Sequence, residues 1–165
     1  MSEQRLLTHS LFTTLASLAA ISCASSSKLT PLNLAVRTVE DTVVMHRNSN
    51  TGAFDVTAVM RNKESQSVDV DICVTPAQIQ IDGVWTTVFK PSCLTSGMAP
   101  LAAGDSLVLP VNVFGYIRPN AEPRLDPRMG PGRYRLLFYV RLSDAAGPSS
   151  PAPGRAQPSN TFIVK

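Results

Sequence analysis

A period of two in the apolar residues constrains this chain more than any other feature. From Gly132 onward, Tyr134, Leu136, Phe138, Val140 and Leu142 alternate with Arg133, Arg135, Leu137, Tyr139 and Arg141. Successive side chains of a strand point to opposite faces, so this segment reads as a strand with one buried face; a helix would scatter both sets around its circumference. The same alternation recurs in Phe54, Val56, Ala58 and Met60, in Val68, Val70, Ile72 and Val74, and in Leu107, Leu109, Val111 and Val113. Shorter stretches repeat it at Leu32, Leu34 and Val36, at Ile79 and Ile81, and at Phe162 and Val164. Thr42 to His46 reads as a continuation of the first of these, and Trp85 to Phe89 as a further strand.

Turn chemistry separates the runs. Asn62-Lys-Glu-Ser65 and Leu101-Ala-Ala-Gly-Asp-Ser106 read as turns, and Asp82-Gly83 between alternating runs predicts a tight hairpin. Thirteen prolines and nine glycines fit many such turns. Longer irregular stretches fall at 91–104, 116–132 and 143–158. Outside the first twenty-odd residues no segment of helical length has a 3.6-residue period. The sum is an all-β chain of about seven or eight short antiparallel strands, the pattern of a β-sandwich in which two sheets bury their apolar faces against each other.

The N-terminus is of another kind. Arg5 precedes an apolar stretch from Leu11 to Ile21 that ends in small residues. It is shorter than the about 20 apolar residues that span a bilayer and has the flanks of a signal peptide. Ala20-Ile21-Ser22-Cys23 resembles the lipobox of bacterial lipoproteins, with Ala20 where that pattern usually carries Leu. The resemblance implies a signal peptide over 1–22, lipid on Cys23, a flexible tether over 23–33 and a domain over 34–165, with membrane attachment through the lipid. Cleavage after Ala24, with loss of Cys23, is the alternative. In either case Cys73 and Cys93 remain as an even pair, expected to form a disulfide in an oxidising compartment. Closing a loop of about 20 residues would contribute on the order of 3 kcal/mol.

Pro131-Gly132-Arg133-Tyr134 resembles the step into the penultimate strand of bacterial immunoglobulin-like domains. Leu101-Ala-Ala-Gly104-Asp105, Asp82-Gly83-Val84-Trp85 and Ser159-Asn160-Thr161-Phe162 resemble that family's preceding turn, its hairpin and its closing strand. The resemblance implies that Tyr134 is a tyrosine corner, its hydroxyl tied to nearby backbone. It implies a fold and no particular activity.

No arrangement of residues points to catalysis. His46 is the single histidine after the signal segment, beside Arg47 at a strand end, and no nucleophile-elbow motif is present. Asp69 and Asp71 share a strand face, but calcium wants six or more oxygens and no further ligand is near in sequence. No metal or cofactor is expected. The net charge of +3, without a basic stripe, gives no reason to expect a nucleic-acid partner. Arg118, Arg124, Arg128 and Arg133 cluster in and after the proline-rich stretch and are the candidate partner-binding residues, suited to acidic groups through paired hydrogen bonds. In the expected topology this stretch and the one over 143–158 lie at opposite ends of the sandwich. The expectation is therefore a non-enzymatic envelope lipoprotein module for protein interaction or structural support. A proteinase-inhibitor-like domain is the alternative, although it needs a rigid exposed loop and the composition here reads as floppy; a hydrolase or metal-dependent enzyme ranks lower.

Overall fold

A computed structural model describes residues 32–93, 97–143 and 154–165. Residues 1–22, Cys23 and most of the expected tether lie outside the described residues.

The described residues are all-β. Strands β1 (Leu34–Thr38), β4 (Thr51–Asn62) and β9 (Ser106–Tyr116) form one antiparallel layer in the order β1-β4-β9. The opposite layer is built on β11 (Gly132–Leu142). Its first half pairs with β13 (Phe162–Val164) and β6 (Ala77–Ile81), and its second half with β12 (Arg155–Pro158) and β5 (Val68–Asp71). Beyond these lie β7 (Val84–Lys90), paired with β6, and β8 (Met98–Leu101), paired with β5. The short β2 (Thr42–Val43) joins β13 in parallel, and β3 (His46–Arg47) folds back on β4. Phe54 of the first layer meets Tyr134 and Phe162 of the second at ring-centroid distances of 5.5 and 6.0 Å, so the two layers face each other across a single apolar core. This is the all-β sandwich that the alternation predicts.

The buried faces are largely those expected. Phe54, Val56, Ala58 and Met60 point inward, as do Tyr134, Leu136, Phe138 and Val140. The Tyr134 hydroxyl donates to the Gly130 carbonyl at 2.7 Å and accepts from the Gly130 N–H at 3.1 Å, closing the tyrosine corner. Asp82 and Gly83 both take positive φ, at 50° and 81°, as a tight hairpin between β6 and β7 requires.

Two expectations need correction. The described residues form thirteen strands rather than seven or eight. Part of the excess arises because the strand beside β11 is interrupted between β5 and β6, the next between β7 and β8, and the one on its other side between β12 and β13. Nor does the run Val68 to Val74 continue to its end. The Asp71 carboxylate accepts the N–H groups of Cys73 and Val74, both at 3.0 Å, and turns the chain out of the sheet, so Ile72 and Val74 are exposed. Cys73 and Cys93 form a disulfide that ties this interruption to the one between β7 and β8.

Candidate functional site

The chain leaves β9 at Tyr116 and does not float free before it re-enters β11. Its middle forms β10 (Arg124–Leu125), which pairs with Tyr116 of β9 on one side and with Phe89 and Lys90 of β7 on the other, bridging the two layers at their end. Leu125 and Met129 are buried and plug the core from above. The approach is close: a Cβ on Gly115 would lie 2.5 Å from the Pro123 carbonyl oxygen, so only glycine fits there. Two further ties hold the segment. Asp126 donates its N–H to the Val88 carbonyl at 2.8 Å, and the Arg47 guanidinium donates to the carbonyls of Pro127 and Met129. Composition suggested a floppy loop; burial of two side chains and these bonds make it a fixed cap.

The cap places the four candidate arginines unequally. Arg128 grips Asp126 with two hydrogen bonds of 2.9 and 2.8 Å. This bond is the largest reason that the Asp126 carboxyl is held down at about 2; partial burial opposes it, and the nearby Arg124 charge adds to it. Arg124 is exposed and stands directly opposite Lys90, beside a cleft of about 280 Å³ that Asp126 and Phe89 also line. Arg118 donates to the Asn50 side chain at 3.3 Å, on the turn before β4. Arg133 is elsewhere, on the outer face of β11 opposite Ile163. The structure thus gathers Arg124 and Arg128 around one carboxylate, keeps Arg118 at the same end, and turns Arg133 to the outer face of β11.

Other candidates already have structural partners. Asp69 accepts from Arg141 at 3.4 Å and from the Ser143 hydroxyl at 2.8 Å, while Asp71 holds its own turn. His46 is exposed in β3 opposite Ala53. Among the described residues, no three His, Cys, Asp or Glu side chains converge as a metal site.

Several structural residues were not singled out in the sequence. Arg47 straps the cap although nothing in its neighbourhood distinguishes it. Asn62 reads as an ordinary turn residue, yet it is fully buried and its amide nitrogen lies within 2.9–3.1 Å of the carbonyls of Gln66, Leu101 and Ala102. The Arg135 guanidinium lies 4.4 Å over the Trp85 ring on the outer face of β11, which makes Trp85 a half-buried hairpin anchor.

The geometry separates the two ends of the sandwich. Leu34 pairs with Asn62 at one end of β4, and Tyr116 pairs with Thr51 at the other. Leu142 pairs with Val68, and the Ser143 N–H bonds the Ser67 carbonyl at the Asn62 end. The stretch after β11 therefore leaves from the end at which the chain enters, and the arginine-bearing cap closes the opposite one, as expected.

No family model matches the sequence, and no curated protein matches it. Among solved structures the chain is similar to the putative ApaA protein from Bordetella pertussis, with 15% identity over 81% of this chain and 93% of that one, at a TM-score of 0.44. It is also similar to a PapD-like domain of human CEP192, with 12% identity over 95% and 94% of the two chains, at a TM-score of 0.32. At these values neither likeness carries a functional argument, and the fold rests on the strand pairing itself.

Proposed function

We propose that the chain is a non-enzymatic interaction module of a bacterial-type cell envelope. In this reading residues 1–22 direct export, Cys23 carries a lipid that holds the chain at a membrane, and the distal cap meets an envelope protein or another acidic surface. The observation that carries the reading is the separation of the two ends. Between Leu34 and the cap lie the twelve residues of β4, about 35 Å of strand at about 3.3 Å per residue. A chain held by its first residues would present Arg118, Arg124 and Arg128 on a fixed platform well clear of the point of attachment. Pinned cap residues favour binding because little conformational entropy is lost when they are engaged.

The test is intact mass of the full chain from membrane and soluble fractions of a bacterial host, followed by copurification with envelope proteins. The expected result is a membrane-bound chain that begins at Cys23 and carries acyl mass, with a partner that is lost in an Arg118→Glu, Arg124→Glu double variant of unchanged melting temperature. An uncleaved cytoplasmic chain overturns the reading. A fixed exposed loop is also what a proteinase-inhibitor-like module needs. That reading predicts that an envelope proteinase is blocked while the cap stays uncut.

A further inference from the structure

Strand β9 has two edges, and β4 covers only one. Thr57 of β4 donates its N–H to the Glu40 carboxylate at 2.8 Å and accepts from the Val39 N–H at 2.8 Å, so its backbone groups point away from β9. Its register partner is Pro110. In an antiparallel ladder such a pair is not hydrogen-bonded to itself, and the backbone groups of Pro110 also point outward, to the far edge of β9. The parity then puts those of Ser106, Val108, Asn112 and Phe114 on the same edge. Tyr116 obeys it, since its N–H bonds the Pro123 carbonyl of the cap at 2.9 Å. Among the described residues no strand pairs with this edge before Tyr116. Pro110, which has no N–H, is its one natural break.

Beside the open edge lies a cleft of about 290 Å³ of mixed lining, with Ile72, Leu109, Val111 and Phe138 beside the polar Thr75 and Asn112. Towards the distal end, where the cap closes the β9 edge at Tyr116, Arg124 and Lys90 face each other in register. Like charges directly opposite repel, and the Asp126 carboxylate, which lines the same cleft as that pair, is held by Arg128. We infer that this slot takes an extended acidic segment of a partner polypeptide, added to β9 as a strand. Only another extended backbone repeats donors and acceptors at the spacing of Val108, Asn112 and Phe114. Alternate side chains of such a segment, small and of mixed polarity, would enter the cleft beside β9, and an acidic residue at its distal end would relieve the Lys90–Arg124 pair. The inference deepens the interaction-module reading and rests on it only for the existence of a partner; it needs neither the lipid nor Arg118.

The probe is a synthetic decapeptide of alternating valine and threonine with aspartates at both ends. It is compared with a version that carries lysine in place of aspartate and with one N-methylated at alternate residues. The aspartate peptide is expected to bind saturably and to slow amide hydrogen exchange at Val108, Asn112 and Phe114 by about tenfold or more. Both altered peptides should bind at least about tenfold more weakly, and so should the protein variant Asn112→Pro, which removes one edge donor and, on the β4 side, only the side-chain bond to Asp55. Arg118→Glu should bind the aspartate peptide as the parent protein does, which separates failure of the slot from failure of the distal surface. Absence of saturable binding, protection confined to other residues, equal binding of the N-methylated peptide, or self-association through β9 in sedimentation would each overturn the inference. Should Asn112→Pro fail to fold, the N-methylated peptide decides the question on the unaltered protein.

Discussion

At the distal end of the sandwich, Leu125 and Met129 fill the space between the layers, and Gly52 and Gly115 give them room: a Cβ on Gly52 would lie 3.1 Å from Leu125 Cδ1. At the proximal end the corresponding work falls to one buried amide. The Asn62 side-chain nitrogen faces three carbonyls with only two hydrogens to give, so one bond is shared, and its oxygen accepts the Glu64 N–H at 2.9 Å. The first closure depends on volume and is non-directional. The second depends on direction and on which atoms are donors. An apolar plug can therefore accept a change of shape at nearly constant volume, whereas the amide accepts no substitute that lacks its two hydrogens.

Replacing both Leu125 and Met129 by alanine should break the distal closure outright. It should cost about 5 kcal/mol or more, because each truncation leaves a cavity that the fixed cap cannot collapse to fill. Urea unfolding measures the loss, and hydrogen exchange should show the Asp126 and Met129 amides opening before those of β4. Asn62→Ala comes next, at about 3 kcal/mol, since it removes the donor that the Gln66 and Leu101 carbonyls accept from, the latter in a buried bond, while the Ala102 carbonyl keeps the Asp105 N–H at 3.2 Å. Asn62→Asp should be no better, because a carboxylate would then face those oxygens. If either variant unfolds at the parent's urea midpoint, the contrast between the two ends is wrong. Tyr134→Phe is the smallest change, about 1 kcal/mol for one hydrogen-bonded hydroxyl. It also has a pH signature. Burial, only partly offset by the Gly130 hydrogen bond and the Arg47 charge, pushes this hydroxyl up to about 12. The unfolded chain releases its proton near 10, so the folded state holds more protons between the two values. Stability should be unaffected by this group below about pH 10 and should fall as pH rises towards 12. In Tyr134→Phe that part of the alkaline decline should vanish, which denaturant titrations across the range would show.

What the sequence reveals of this molecule follows from how local its causes are. The alternation in β11, the Asp82-Gly83 hairpin and the Gly104 turn are set by neighbouring residues, and all three are found where the sequence puts them. The exposure of Ile72 and Val74 could not be read from apolar period alone, because the aspartate that turns the chain out also looks like the polar half of the alternation. The cap was least legible. Leu125 and Met129 sit among prolines and arginines with no period to mark them, and the contacts that fix them come from Arg47 and Val88, distant in the chain. Of the four candidate arginines, three lie in the segment that the cap folds back over the end of the sandwich; Arg133, at the start of β11, is turned by the pleat to the outer face of that sheet. The open edge of β9 was invisible for a different reason: an unpaired edge is a property of neighbours, and sequence shows only the strand.

The pairing of β1 with β4 has a mechanical consequence. Leu34 through Thr38 run beside Asn62 through Ala58, along the axis that joins the two ends. If the chain is held before Leu32 and pulled by something gripping the cap, the load runs parallel to these two strands. Their five register positions must then slide together, in shear, and cannot open one at a time as a zipper does. A domain strung in this direction resists tension best in the geometry that a proximal attachment and a distal partner would impose on it.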